Sequence, residues 1–185
     1  HWMVHSFPTR RSSDLVSLSG RICGIHYVGL TNTTAASLQT QGSHMKSFAG
    51  GCLCGEIRYE ITAEAGPSRI CWCRDCQRIS SNGTVNVIFP SDAIKVSGSP
   101  GKHVKPADSG NTVTRRFCSS CGTQLFSDSS GRPGLTVVRV GTLDEPSAVK
   151  PTTNIWVASA PSWACVDPSL EQFKGPPTVV PQAKT

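Results

Sequence analysis

Seven cysteines crowded between positions 52 and 121 constrain this chain more than any other feature. They form three tight groups: Cys52-Leu53-Cys54, Cys71-Trp72-Cys73-Arg74-Asp75-Cys76 and Cys118-Ser119-Ser120-Cys121. Residues i and i+2 of an extended segment project to one side about 7 Å apart, too far for an unstrained disulfide but able to turn onto one ion. A Cys-x-x-Cys turn is half of a zinc knuckle. The N-terminal stretch lacks a charged-then-apolar signal layout, so a reducing, cytoplasmic setting is expected, which again favours metal over disulfides.

Seven ligands divide as four plus three. A structural zinc takes four protein ligands and is closed, whereas a catalytic zinc keeps three and leaves one position open. The local trio Cys71, Cys73 and Cys76 is compact enough to grip three corners of a tetrahedron. Cys52, Cys54, Cys118 and Cys121 then complete a closed site that staples two distant segments. An alternative closes both sites: Cys165, within Trp163-Ala164-Cys165-Val166, would fill the vacant corner. Cys165 forms no knuckle with another Cys or His, and its simplest reading is a buried small apolar residue.

Charge argues against a nucleic-acid partner. The chain is formally +6, but residues 46–185 hold 15 Lys/Arg against 11 Asp/Glu, a net +4. Two zinc ions and seven thiolates would bring the folded domain to roughly +1. There is neither a Lys/Arg block nor an aromatic-rich basic stripe. No apolar run approaches the roughly 20 residues needed to span a bilayer, so no membrane helix is expected.

The tetrapeptide Gly42-Ser43-His44-Met45 has the form of an expression-vector remnant. Residues 1–45 are therefore read as a non-native leader, 46–175 as one zinc-binding domain and 176–185 as an irregular tail. The domain reads as mainly β. Glu56–Ile61, Thr84–Phe89, Ala93–Val96, Thr112–Phe117, Leu135–Val140 and Asn154–Val157 carry strand patterns, separated by Gly/Pro/Ser turn clusters. Cys76–Ser80 manages one helical turn, and His103 falls in a loop over Gly101–Lys105. Many short strands indicate a sandwich or coiled-sheet architecture with a modest core.

The order of motifs resembles the glutathione-dependent formaldehyde-activating enzyme family. Gly50-Gly51-Cys52-Leu53-Cys54-Gly55-Glu56-Ile57-Arg58-Tyr59 is similar to its opening signature, and Cys71-Trp72-Cys73-Arg74-Asp75-Cys76 to its central motif. Phe117 to Leu125 is similar to its second knuckle, and the Ile155-Trp156 and Trp163 region to its C-terminal segment. The resemblance implies an Mss4-like fold of coiled β-sheets stapled by two zinc ions, structural at Cys52, Cys54, Cys118 and Cys121 and catalytic at Cys71, Cys73 and Cys76. It implies carbon–sulfur lyase chemistry, the named reaction joining glutathione and formaldehyde into S-hydroxymethylglutathione.

This chain departs from that pattern. Gln77-Arg78-Ile79-Ser80-Ser81 follows Cys76 where many relatives have Ser-Gly, and Asn154 stands where the named enzymes tend to carry a histidine. Asparagine cannot take up a proton near neutral pH. Arg74, Arg78, Asn154 and Trp156 are the candidate substrate-binding residues, with Lys102 and Lys105 further cations near the trio. None lies in a motif that demands two carboxylates, so glutathione is expected to bind weakly and another small thiol or carbonyl compound to be the substrate. Two other readings stand beside the lyase: a non-catalytic binding module on the same zinc scaffold, and a reductase resembling methionine sulfoxide reductases with Cys165 as redox thiol.

Overall fold

A computed structural model describes residues 46–107 and 110–177. The expected leader, and all but two residues of the expected tail, lie outside the described residues. Along the chain run strands β1 (Ser47–Gly51), β2 (Arg58–Thr62) and β3 (Ser68–Cys71), helix α1 (Arg74–Ser80), then β4 (Thr84–Pro90) and β5 (Ile94–Ser97). After them come β6 (Gly101–Pro106), β7 (Thr112–Phe117), β8 (Gln124–Ser129), β9 (Leu135–Arg139), β10 (Thr153–Ile155) and β11 (Glu171–Phe173). The described chain is thus mainly β with one short helix. The strands form a three-stranded sheet ordered β1-β2-β5 and an eight-stranded sheet ordered β11-β10-β3-β4-β9-β8-β7-β6.

Alternation explains how the two sheets meet. In β2, Tyr59 and Ile61 are buried while Arg58, Glu60 and Thr62 face out, the period of a half-buried strand. Val87 and Phe89 of β4, Val138 of β9 and Phe126 of β8 are fully buried from the other side. Tyr59 meets Phe126 edge-on at 5.0 Å between ring centres, and Phe48 meets Phe89 at 5.1 Å. Each such side chain contributes about 1.5–3 kcal/mol on burial. Burial raises the Tyr59 phenol to about 12, and its hydroxyl is held by the Thr142 hydroxyl at 2.7 Å.

Several elements differ from the sequence expectation. Gly101–Lys105 is a strand, not a loop: β6 pairs along its whole length with β7, setting His103 opposite Arg115. Its side chains are mostly polar and exposed, so no apolar period marks it. The strand expected over Leu135–Val140 stops at Arg139, where Val140–Thr142 tightens into a 3-10 turn. That expected over Asn154–Val157 stops at Ile155, because Trp156 turns left-handed with φ +61° before a further 3-10 turn over Val157–Ser159. The helix begins two residues earlier than Cys76, with Cys73 at its N-cap. Strands β1, β3, β8 and β11 were not anticipated. In β8 a register shift against Arg116/Phe117 lets the consecutive residues Leu125 and Phe126 both bury fully, which a simple alternation forbids.

The second sheet has two unlike faces. Val87, Phe89 and Val138 point to the core. Because side chains alternate along a strand, Thr84 and Asn86 of β4 and Arg139 of β9 take the opposite face. Register partners share a face, so Cys71 joins Thr84, and Arg69 and Arg139 flank Asn86. Helix α1 lies against β4 at this face.

Candidate metal centre

Two loops at neighbouring strand ends bring four sulfurs together. After β1 the chain turns through Cys52 to Gly55, closed by Gly55 N–H to Cys52 O at 3.1 Å. After β7 the Cys118–Cys121 knuckle closes through Gly122 N–H to Cys118 O at 2.9 Å. Gly55 and Gly122 have φ of +79° and +75°, values that favour glycine over any residue with a Cβ. Leu53 N–H donates to Thr123 Oγ1 at 3.1 Å and ties one loop to the other.

The spacing of the sulfurs fits a metal. Cys52 Sγ lies 3.5 Å from Cys54 Sγ, and Cys54 Sγ lies 3.6 Å from Cys118 Sγ. A disulfide would need about 2.05 Å, whereas a tetrahedron of Zn–S bonds about 2.3 Å long has edges of about 3.8 Å. All four sulfurs of Cys52, Cys54, Cys118 and Cys121 lie within 4.8 Å of one another. Donors stabilise the thiolate forms: Ile57 N–H reaches Cys52 Sγ at 3.2 Å, and the Thr123 hydroxyl lies 3.2 Å from Cys121 Sγ. That hydroxyl is the main cause of the Cys121 thiol being lowered to about 5.

The trio is assembled from the end of β3 and the start of α1. Cys71, Cys73 and Cys76 bring their sulfurs within 4.8 Å of one another. Cys73 Sγ also caps the helix, accepting from Cys76 N–H at 3.5 Å. Hydrogen bonds from Cys71 and then Cys73 hold the Cys76 thiol far below the ordinary value, with Arg139's charge adding to the effect. The two donors, Cys71 and Cys73, are shifted up. A metal ion would need all three as thiolates, so its binding would release protons and grow stronger as pH rises. Both clusters therefore suit a metal ion, and their all-sulfur donors suit zinc.

Polar braces hold the trio in place. Trp72, between two of its cysteines, is 3% exposed and donates its indole N–H to Asn154 Oδ1 at 3.2 Å. Asn154 is fully buried and passes its own N–H to Asp167 O at 2.9 Å. Gln77 Nε2 donates to Trp72 O at 2.6 Å and Ser159 O at 2.8 Å. A Cβ at Gly83 would stand 2.8 Å from the Trp72 ring, so glycine is needed there. Asp75 faces the other way, pairing with Arg115 at 2.8 Å and Lys105 at 3.0 Å, and pins α1 to β7 and β6.

The remaining sequence candidates scatter. Arg74 is exposed and donates to Gln77 Oε1. Arg78 is exposed at the last turn of α1, and Lys102 and His103 are exposed on β6. Trp156 is half-buried, with its backbone N–H bonded to Gly175 O at 3.0 Å. Cys165 is exposed, not buried, and belongs to neither sulfur cluster. Two charged residues of this neighbourhood were not singled out by the sequence reading. Asp75 carried a signal as the one acid inside the cysteine motif. Arg139 carried another, as the charged residue that ends the apolar run Leu135-Thr136-Val137-Val138.

A mainly β chain with one four-sulfur and one three-sulfur cluster falls in the class of cysteine-rich β proteins with candidate metal sites. The profile of the family described as glutathione-dependent formaldehyde-activating enzyme matches residues 47–159. The chain belongs to that family. No curated protein matches it significantly. A crystal structure of a Rhodobacter sphaeroides protein is similar at 22% identity and a TM-score of 0.43, covering 56% of this chain and 91% of that one. That likeness is too slight to speak to function. Among the described residues, no helix is long and apolar enough to cross a membrane.

Proposed function

We propose that residues 46–175 form a zinc-dependent carbon–sulfur lyase acting on a thiol adduct or a small carbonyl compound. The reaction is assigned to the Cys71/Cys73/Cys76 trio, and a structural zinc to Cys52, Cys54, Cys118 and Cys121. The observation that carries this reading is the inequality of the clusters: no fourth Cys, His, Asp or Glu joins the trio among the described residues. Asp75, the acid inside the motif, is engaged by Arg115 and Lys105 instead. Cys71, Cys73 and Cys76 would hold the zinc ion, which would supply a position where a substrate sulfur is favoured in its nucleophilic thiolate form.

The chain's own residues position that chemistry. Cys71 is fixed by the β3–β4 pairing and Cys76 by α1, which Asp75 anchors. The buried Trp72–Asn154 bond holds the segment between Cys71 and Cys73. In the direction of synthesis the thiol S–H bond breaks and a carbon–sulfur bond forms to the aldehyde carbon. The carbonyl electron pair becomes an alcohol that takes the proton, and the lyase direction is the reverse, with nothing else consumed.

Exchange of carbon-13 formaldehyde between its hydrate and the hydroxymethyl thioether of added thiols, followed by NMR, tests this reading. Zinc-loaded protein is expected to speed the exchange for at least one thiol, and Cys73→Ser to abolish the acceleration with the fold intact. Exchange at the buffer rate across a panel of small thiols and aldehydes would contradict it.

A further inference from the structure

Arg139 carries a buried charge beside the trio that no carboxylate among the described residues meets. It ends β9 opposite Asn86, on the sheet face that carries Cys71 and Thr84, and is 7% exposed. Its Nη1 donates to Asn86 Oδ1, and Nη2 makes a long 3.5 Å contact with Ser127 Oγ. Its Nε is buried with no acceptor at all. None of the ion pairs among the described residues includes it. Arg69, which flanks Asn86 from β3, is half-buried and in none of them either. The one carboxylate of the helix, Asp75, is taken by Arg115 and Lys105.

A guanidinium stays charged at any accessible pH, and a buried one with no carboxylate on its donor fork is uncommon. Asn86 and Ser127 are neutral acceptors that fix the plane of the group without balancing its charge. The fork that remains, Nε with an Nη hydrogen, is the pattern that receives a carboxylate in two parallel hydrogen bonds.

We propose that Arg139 is a specificity-determining residue that binds a carboxylate of the substrate, so that the trio acts on small thiols, or thiol adducts, that bear a carboxylate. The assignment rests on the trio being an open metal site. It replaces the exposed Arg74 and Arg78 with a buried cation as the anion anchor, and it names a substrate smaller than glutathione that unites thiol and carboxylate within short reach.

Cobalt-loaded protein provides the test, because the absorption of cobalt thiolates reports a new ligand at the trio independently of turnover. Mercaptopropionate and its neutral counterpart mercaptopropanol are titrated into wild type, Arg139→Gln and Arg139→Lys. Wild type is expected to bind the carboxylate thiol about tenfold more tightly. Arg139→Gln should bring the two affinities together while leaving that of mercaptopropanol and the cobalt content unchanged. Should that variant fail to fold, Arg139→Lys decides: a preference reduced to about two- to threefold supports the proposal, and an undiminished one overturns it. Equal affinities in wild type also overturn it. If Arg139→Gln instead sheds cobalt from the trio, the guanidinium serves the cluster and the proposal falls. Fewer than two cobalt ions in wild type would overturn the underlying metal reading, a separate and recognisable failure.

Discussion

The two sulfur clusters are built in opposite ways. The four-cysteine cluster sits on two loops of the same design, each closed by a short backbone hydrogen bond and a left-handed glycine, Gly55 in one and Gly122 in the other. Cys52 and Cys118 are part of the hydrophobic core, with Cys121 packed against it. The trio has instead a buried surround rich in polar groups: Asn154, Gln77, Thr84 and Arg139. A cluster rooted in the core through Cys52 and Cys118, with Cys54 at the surface, joins two distant segments as a staple, and a metal there would contribute directly to folding. A cluster set among oriented donors and a buried charge has its position and electrostatics controlled, which is what a reacting site requires.

Serine substitutions break the comparison most severely. Cys118→Ser removes a fully buried sulfur of the staple, so loss of the metal there should unfold the domain at room temperature. Cys73→Ser, half-exposed at the helix cap, should retain the β-sheet circular dichroism of wild type and bind one metal fewer. Equal loss of structure in both variants would erase the distinction between staple and site.

A smaller effect is expected where polar bracing is removed from the trio alone. Asn154→Leu leaves the Trp72 indole N–H without its partner and the Asp167 carbonyl with only the Gln172 amide at 3.3 Å. A cost of about 1–3 kcal/mol is expected in denaturant unfolding. Metal affinity should weaken at the trio only, as read by competitive chelation that resolves the two sites. Weakening at both sites would mean that the braces serve the whole domain.

The smallest effect belongs to a pair remote from the trio, Arg58–Asp144, both members about half-exposed. Arg58 holds the Asp144 carboxyl below its ordinary value by hydrogen bonding first and by charge as well. A depressed acid adds stability that is present above its unfolded pKa and lost as pH falls through its folded one. The melting-temperature gap between wild type and Arg58→Ala should therefore be open at neutral pH and close below about pH 4. Metal content should stay at the wild-type value throughout. A gap that widened in acid would contradict the sign assigned to this pair.

What the sequence made legible was local. The spacing of the cysteines is a property of a few residues each and marked three local groups, which the fold gathers into one cluster of four and one of three. The period of Arg58–Thr62 and the β-branched run of Thr84–Pro90 likewise needed no distant partner to be read as strands. What stayed hidden depends on pairing across the chain. The polar strand β6 is a strand because β7 pairs with it, and β8 conceals its period behind a bulge. Arg139 becomes a buried charge without a carboxylate partner among the described residues only because the β4–β9 register sets it beside Asn86. Asn154 drew notice as a departure from a family pattern, but its hold on Trp72 depends on β10 lying parallel to β3.

X-ray absorption at the zinc edge of fully loaded, substrate-free protein tests the central claim, one closed site and one open, most directly. Seven cysteine sulfurs shared between two ions predict an average of about 3.5 sulfurs per zinc, with the remainder of the shell filled by about half a light oxygen or nitrogen scatterer per ion. Four sulfurs per zinc with no light scatterer would contradict the account, because both sites would then be closed.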